Sequence, residues 1–252
     1  MRLDPGELYD VADAFGVDLD QVRRDHVISH VLASIARRER DRFVFYGGTA
    51  LSRTWTPDAR LSEDVDLLVR GSRAEAGRAL AAALAADLGP HVPSLSWSKP
   101  PGEARDAEAV FLLVGDDVTI KFQLASVSGR PAWPTEPVEV VQRYGDAPPA
   151  RLHVPTRAAA AAMKLAAWSD RRAARDLYDL WELQRRGLVD AAAVHAWTHF
   201  GPSSRPPGAW IFASVPSERD WRDQLGHQTR LDVTARDAAR AVEDAWTRAA
   251  GG

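Results

Sequence analysis

Cysteine is absent from the 252-residue sequence. Its absence excludes disulfide bonds, thiolate metal sites and cysteine nucleophiles. Long apolar runs are absent as well, since no stretch reaches the roughly 18 residues of a membrane-spanning helix. The first ten residues, MRLDPGELYD, lack the apolar segment of a signal peptide. We therefore expect a cytoplasmic protein that does not associate with a membrane.

An excess of charge of one sign is also missing. The chain has 32 Lys and Arg against 35 Asp and Glu, which gives a net charge of −3. A protein that binds nucleic acid over much of its surface is usually basic, so only a local basic patch is compatible with this balance. Residues 171–186 contain five arginines, a pattern more typical of a solvated helix face than of an RNA contact.

The most informative stretch is residues 43–69, FVFYGGTALSRTWTPDARLSEDVDLLV. It predicts a strand, a Gly-Gly turn, a short helix, a loop and a second strand. Side chains alternate between the two faces of a strand, so Ser62, Asp64 and Asp66 share a face if the strand includes all three. Mg²⁺ prefers one or two carboxylates, with water and phosphate oxygens completing its shell. Asp64 and Asp66 are therefore the predicted ligands of a Mg²⁺ ion.

The Gly-Gly turn supplies a second half to this motif. Gly47 and Gly48 allow a phosphate to approach the backbone closely, and Thr49 is the expected N-cap of a helix over residues 50–53. A Gly-Gly pair alone is commonly an ordinary turn, and an Asp-x-Asp pair alone is commonly a solvated strand end. Their combination with Arg60 and Ser62, in the order R-x-S-x-D-x-D, favours phosphoryl or nucleotidyl transfer.

The remaining pattern predicts a mixed sheet with flanking helices, followed by a mainly helical part. The boundary lies at residues 146–149, DAPP, so the expected domains are 1–145 and 146–252. In the first domain we expect helices over residues 4–15, 21–38 and 73–88, and strands over residues 92–98, 107–114, 118–125 and 138–141. In the second we expect helices over residues 157–168, 171–186, 190–199, 217–226 and 234–250.

The pattern G-G-T-A-L followed by R-x-S-x-D-x-D-L resembles the nucleotidyltransferase superfamily. It is most similar to the AbiEii/AbiGii-type toxins, a group that includes the mycobacterial MenT toxins. Residues 24–26 with the apolar helix that follows, Lys164, and residues 175–180, RDLYDL, extend the resemblance over roughly residues 20 to 185. It implies an α+β fold, with a nucleotidyltransferase-fold domain and a helical C-terminal domain that completes the active site.

The resemblance implies a role for each matching residue. Asp64 and Asp66 would hold the metal and take part in catalysis, together with Lys164 and Asp176. The nucleotide-binding residues would be Gly47, Gly48, Thr49, Arg60, Ser62 and Asp179. Asp176 and Asp179 are three residues apart and share a helix face, so spacing alone does not choose between them.

Structural explanations stand beside these roles. Lys164 can extend its ammonium group to water from an apolar helix. Arg172 can pair with Asp176 one helical turn away. The nine tryptophans, four of them after position 190, are expected as buried anchors more than as platforms for bases.

One position departs from the family pattern. Gln123 stands where many nucleotidyltransferases have a third acid, and an amide is a poor ligand for Mg²⁺. Either two carboxylates suffice, or the third ligand lies elsewhere.

The resembling toxins use NTP and Mg²⁺ to add nucleotides to the 3′ end of tRNA, which blocks aminoacylation. They act with a separately encoded antitoxin, and Ser62 matches a serine that is phosphorylated in some of these systems. One alternative is a small-molecule nucleotidyltransferase of the antibiotic-modifying kind. A second is a catalytically silent binding module, for which Gln123 is the only support.

Overall fold

The computed structural model describes residues 1–251, which divide into two compact units. One unit comprises Met1–Arg130 and Glu136–Val154 and contains the sheet. The other comprises Pro131–Thr135 and the chain from Pro155 onward, and it is mainly helical. The expected boundary after residue 145 falls before this change of unit, because Ala150–Pro155 forms a further strand of the sheet.

The helices and strands are numbered in the order in which they occur along the chain. The helices are α1 (Pro5–Phe15), α2 (Leu19–Arg38), α3 (Gly47–Ser52), α4 (Arg73–Leu88), α5 (Arg157–Arg171), α6 (Ala174–Arg185), α7 (Ala191–Phe200), α8 (Glu218–Leu225) and α9 (Ala235–Gly251). The strands are β1 (Phe43–Tyr46), β2 (Asp64–Val69), β3 (Leu95–Trp97), β4 (Ala109–Val114), β5 (Val118–Ser126), β6 (Thr135–Val140) and β7 (Ala150–Pro155). Within the described chain, none of the helices has the length and apolar character needed to cross a bilayer.

The seven strands form one mixed sheet in the order β3-β4-β5-β2-β1-β7-β6. Strand β2 lies at its centre, antiparallel to β1 and parallel to β5. Strand β1 is parallel to β7 on its other side. This mixed sheet with flanking helices confirms the predicted fold class.

One face of the sheet carries the main core of the first unit. Val65, Leu67 and Val69 of β2 are fully buried there, as their alternation predicts. Apolar residues of α2 and α4 pack in the same cluster, because they recur at helical spacing and so form a continuous stripe. The two acids of β2 belong to the opposite face of the strand.

The predicted elements agree with the structure in most places, but several differ, including strand β7, the start of α6 and the strand predicted over 92–98, which is only Leu95–Trp97. Helix α4 spans the residues expected for it. Strand β7 was not predicted, because it forms by pairing with β1 and β6 in the sheet and β1 is distant in sequence. The predicted helix over 171–186 is wrong at its start. Arg172 adopts a left-handed conformation (φ 53°) that ends α5, and α6 begins only at Ala174.

Three tryptophans anchor the helical unit. The indole N–H groups of Trp168, Trp197 and Trp221 donate to backbone carbonyls at 3.2, 2.8 and 2.9 Å, respectively. All three side chains are buried, and the hydrogen bonds satisfy indole N–H groups that have no access to water. Trp210 differs, since it is 54% exposed. The expectation of tryptophan anchors therefore holds for these three residues.

Candidate active site

The pairing of β1 with β2 places the Gly-Gly turn next to the strand that carries Asp64 and Asp66. Strands β1 and β2 are antiparallel, and Tyr46 at the end of β1 lies opposite Asp66. Helix α3 begins at the next residue, Gly47, whose φ is +83°. A Cβ atom at position 47 would overlap the Asp66 carboxylate. Glycine is thus required both by the backbone conformation and by the closeness of Asp66.

The neighbouring glycine lies against two other residues of the motif. A Cβ atom at Gly48 would lie 2.5 Å from Arg60 Nη2 and 2.9 Å from Ser62 Oγ. Both Arg60 and Ser62 are buried. The structure therefore gathers Gly47, Gly48, Arg60, Ser62 and Asp66 in one place, although they come from α3, from the loop that follows it and from β2.

Thr49 has a different local role from the one predicted. It is not an N-cap, because α3 already begins at Gly47 and Tyr46 occupies the capping position. The Thr49 hydroxyl instead donates to the backbone carbonyl of Asp64. This hydrogen bond ties α3 to the first residue of β2. Ser62 precedes that strand, so the shared-face argument applies to Asp64 and Asp66 only.

Asp64 and Asp66 are both partly exposed, and Val65 between them is fully buried in the core. The two carboxylates therefore share the face of β2 that is opposite the core. On the neighbouring parallel strand β5, Lys121 pairs with Asp64 in register and Gln123 pairs with Asp66. Lys121 Nζ lies 2.6 Å from Asp64 Oδ2.

Gln123 has a structural partner of its own. Its side-chain amide donates to the carbonyl of Ala107 at 3.0 Å. Ala107 has a φ of +56°, an uncommon conformation for a residue with a side chain. The Gln123 side chain is thus a hydrogen-bond donor to the turn before β4.

Helix α2 supports the motif from the core side. Gln21 Nε2 donates to the carbonyl of Leu61 at 3.0 Å. Arg24 Nη1 donates to Glu63 Oε2 at 2.6 Å, so Glu63 is directed away from the two aspartates. These contacts hold the three residues that lead into β2.

A buried ion pair fixes the other end of α3. Arg53 is fully buried and its Nη2 donates to Asp25 Oδ1 at 2.8 Å. Tyr144 donates to the other oxygen of Asp25 at 3.0 Å, and Arg143 donates to the carbonyl of Ser52. Burial lowers the pKa of Arg53 to about 10, which still leaves it charged at neutral pH.

Sequence reasoning placed Asp25 in a family-like helix but missed Arg53 and Arg143. These partners come from α2, the end of α3 and the segment after β6. No local spacing links them. The only signal in the sequence was Asp25 itself, because an acid among the apolar residues of α2 indicates a buried carboxylate.

In the helical unit, Lys164 lies between the two acids of the RDLYDL segment. Its Nζ is 3.1 Å from Asp176 Oδ1 and 2.6 Å from Asp179 Oδ2, and all three side chains are buried. Lys164 therefore does not extend to water, and both acids of the segment contact the same ammonium group. The choice between Asp176 and Asp179 as the residue that acts on substrate stays a prediction.

Arg171, rather than Arg172, is the arginine that binds Asp176. Its Nε and Nη2 lie 2.6 and 2.8 Å from the two carboxylate oxygens. The left-handed turn at Arg172 instead places that guanidinium over the Trp168 ring. Burial raises the pKa of Asp176, but Lys164 and Arg171 outweigh it and the pKa is lowered to about 2.

Comparisons with known proteins were made on this sequence and fold. The model of a family described as nucleotidyl transferase AbiEii toxin, type IV toxin–antitoxin system, matches residues 30–251. The chain belongs to the AbiEii nucleotidyltransferase toxin family. A search of curated proteins found no match.

Two solved structures share the fold of this AbiEii nucleotidyltransferase. MenT4, a nucleotidyltransferase toxin from Mycobacterium tuberculosis H37Rv, is 21% identical with a TM-score of 0.67, over 90% of this chain and 83% of that chain. A protein from H. pylori assigned as a nucleotidyltransferase is 14% identical with a TM-score of 0.58, over 93% and 96% of the two chains.

The donor set of this AbiEii enzyme fits a divalent ion. Asp64 and Asp66 offer partly exposed carboxylate oxygens on one strand face, which are the ligands that Mg²⁺ prefers. Lys121 offsets the charge of Asp64. Beside these acids, the absence of side chains at Gly47 and Gly48 lets Asp66, Arg60 and Ser62 lie directly against the start of α3.

Proposed function

We propose that this chain is a Mg²⁺-dependent toxin that adds nucleotides from NTP to the 3′ end of tRNA and so blocks aminoacylation. The observation that carries this proposal is the contact of Gly47 with Asp66 and of Gly48 with Arg60 and Ser62. It joins an anion-binding turn to a pair of metal-binding acids. Membership of the AbiEii toxin family supports the same reaction class.

The triphosphate binds at Gly47, Gly48 and Thr49, with Arg60 and Ser62 beside it. The two glycines allow phosphate oxygens to approach the backbone. The buried Arg60 guanidinium lies against Gly48 and offsets the negative charge. These groups orient the α-phosphate for attack.

Asp64 and Asp66 would hold Mg²⁺, which when bound neutralises charge on the phosphates. One of these carboxylates accepts the proton of the attacking 3′-hydroxyl. The acceptor oxygen forms a bond to the α-phosphorus while the bond from that phosphorus to the bridging oxygen breaks. A nucleoside monophosphate is transferred and pyrophosphate leaves.

A phosphate-binding role for Lys164, with Asp176 as the acting acid of its segment and Asp179 as the alternative, rests on the resemblance to the family. A buried ammonium group between two carboxylates is held in one orientation. Arg171 holds Asp176 through two hydrogen bonds, so the cluster is organised before substrate arrives.

The acceptor and the partners rest on the family. Its description as a type IV toxin–antitoxin system supports a separately encoded antitoxin and action in the cytoplasm. The tRNA acceptor comes from the resemblance to the MenT toxins. A small-molecule acceptor and a silent binding module are the other outcomes that the following experiment distinguishes.

The test is incubation of the purified protein with Mg²⁺, total tRNA and each labelled NTP in turn. Asp64→Asn and Asp66→Asn should each lower labelling about 100-fold or more, because each removes a charge that supports the metal. Glu63→Gln is the matched control, since Glu63 directly precedes Asp64 in sequence but binds Arg24 instead. It should keep most of the activity.

Each outcome has a defined meaning. Labelled tRNA that disappears in both aspartate variants and remains in Glu63→Gln supports the proposal. NTP binding without labelled RNA would point to a small-molecule acceptor. Failure to bind any NTP would leave the silent binding module as the better account.

A further inference from the structure

Two histidines and an aspartate converge in the first unit, apart from the acids of β2. His26 and His30 are four residues apart on α2 and share a helix face. Asp146, in the loop between β6 and β7, faces both rings. Within residues 1–251, these residues form the only group of three or more His, Asp and Glu side chains whose ligand atoms converge this closely, all within 4.8 Å.

The distances suit a tetrahedral ion. The Nε2 atoms of His26 and His30 are 3.3 Å apart. Zinc ligands at ~2.0–2.1 Å in tetrahedral geometry are separated by about 3.3 Å. Asp146 Oδ1 lies 2.9 Å from His26 Nε2, and Oδ2 lies 3.1 Å from His30 Nε2. If these two N···O distances lengthened by a few tenths of an ångström, they would match the separation between two ligands of one zinc ion.

The three donors are held in place by their surroundings. The side chains of His26 and His30 are 6% and 11% exposed, and that of Asp146 is 26% exposed. The His26 ring packs edge-on against Tyr144 at 5.0 Å. The backbone N–H of Arg2 donates to Asp146 Oδ2 at 2.7 Å. Both a ring and the carboxylate are therefore oriented before any ion arrives.

Solvent has a route to this cluster. A cavity of about 420 Å³ is lined by His30 and Asp146. Met1 and His91 line the same cavity. A water molecule can thus take a fourth position, as in zinc sites that have three protein ligands.

We propose that His26, His30 and Asp146 bind a transition-metal ion of the Zn²⁺ class, independently of Mg²⁺ at Asp64 and Asp66. Imidazole nitrogens suit Zn²⁺, Co²⁺ and Ni²⁺, whereas Mg²⁺ prefers oxygen ligands alone. Two histidines at i and i+4 on one helix, with a carboxylate from another segment, are a known arrangement for such ions.

This ion would connect α2 to the network behind the Gly-Gly turn. Tyr144, which packs on His26, donates to Asp25, and Asp25 binds the buried Arg53 at the end of α3. An ion that fixes Asp146 therefore also fixes the segment that carries Arg143 and Tyr144. The expected effect is stabilisation of the fold, measured as a rise in Tm on addition of the metal.

The test uses the full chain without a histidine tag, treated with a chelator and then dialysed. Zn²⁺ binding is measured by calorimetry, and Co²⁺ is used as a probe because tetrahedral Co²⁺ absorbs much more strongly than octahedral Co²⁺. The ligand variants are His30→Gln and Asp146→Asn. The matched control is His199→Gln, which removes one member of the other i, i+4 histidine pair, His195 and His199.

We expect one tightly bound Zn²⁺ per chain, a tetrahedral Co²⁺ spectrum and a higher Tm with Zn²⁺. Each ligand variant should weaken binding by at least about 10- to 100-fold, while His199→Gln should not change it. Equal binding by wild type and His30→Gln would overturn the proposal. So would an octahedral Co²⁺ spectrum, or competition by Mg²⁺ at similar concentration.

A second measurement works on the wild-type chain and does not depend on the folding of any variant. Zn²⁺ should protect His30 from chemical modification of its ring, as read by mass spectrometry, and should leave His195 reactive. Protection of neither histidine, or of both alike, would overturn the assignment.

Discussion

Lys121 Nζ lies 2.6 Å from Asp64 Oδ2, across two neighbouring parallel strands. The register of β2 with β5 places these residues opposite each other, on the face that carries Asp66. A candidate metal ligand therefore has a cation as its neighbour. The two positive charges, ammonium and metal ion, would compete for the same carboxylate.

Lys121→Met should strengthen the binding of Mg²⁺. Partly exposed ion pairs are worth ~0.2–1 kcal/mol, so the Mg²⁺ concentration that half-saturates nucleotide transfer should fall about 2- to 5-fold. The matched control is Lys99→Met, because Lys99 forms a similarly exposed pair with Glu108 at 3.0 Å. An unchanged or higher Mg²⁺ requirement in Lys121→Met would show that Lys121 acts otherwise, for example on the triphosphate.

Gly47→Ala should abolish most of the transfer activity. The new Cβ would displace the Asp66 carboxylate, and misplacement of a catalytic group by about 1 Å can cost on the order of 100-fold in rate. Gly71→Ala is the control, since Gly71 has a similar φ of +87° but no atom within 4 Å of an added Cβ.

Both glycine variants should lose ~1–2 kcal/mol of stability from the left-handed backbone, as measured by denaturant unfolding. Only Gly47→Ala should also lose transfer activity. Equal activity in the two variants would contradict the placement of Asp66 in the site.

Ser62→Glu should inhibit transfer more than Ser62→Gln does. Ser62 is buried and faces Gly48, so a charge there adds to those of Asp64 and Asp66. Like charges repel the incoming triphosphate, as a phosphate of roughly −1.5 to −2 charges would. We expect a rise of about tenfold or more in KM for NTP in Ser62→Glu relative to the size-matched Ser62→Gln. Equal KM values would reject charge as the cause.

Asp176 should make stability depend on pH in the acid range. Its pKa is about 2 in the folded protein against an ordinary value of 3.8. A carboxyl group with a lowered folded pKa contributes stability above its unfolded pKa, and this is lost as pH falls towards the folded value. The contribution is on the order of 2 kcal/mol and should disappear between about pH 4 and pH 2.

The measurement compares wild type with Asp176→Asn by denaturant unfolding at pH 7 and near pH 2.5. The stability gap between them should shrink by most of that amount at the lower pH. The exposed Asp170→Asn in the same unit should show a much smaller change. A gap for Asp176→Asn that is independent of pH would contradict the lowered pKa.

The sequence alone determined most of the helices and strands and the main motif of this protein. Helical spacing in α2 and α4, alternation in β2, and the Gly-Gly and Asp-x-Asp pairs are local patterns, and each appears within one or two elements. The resemblance rested on those same patterns, which is why the fold class, the family and the nucleotidyltransferase assignment agreed with the comparisons.

Only the tertiary structure decided which charged groups meet. Lys121 and Asp64 are 57 positions apart, and His26 and Asp146 are 120 positions apart. Strand β7 forms because it pairs with β1 and β6, and the left-handed turn at Arg172 leaves Arg171 as the arginine that binds Asp176. Such pairs depend on the register of the sheet and the paths of the loops. No periodic pattern in the sequence indicates them, because packing rather than local propensity selects them.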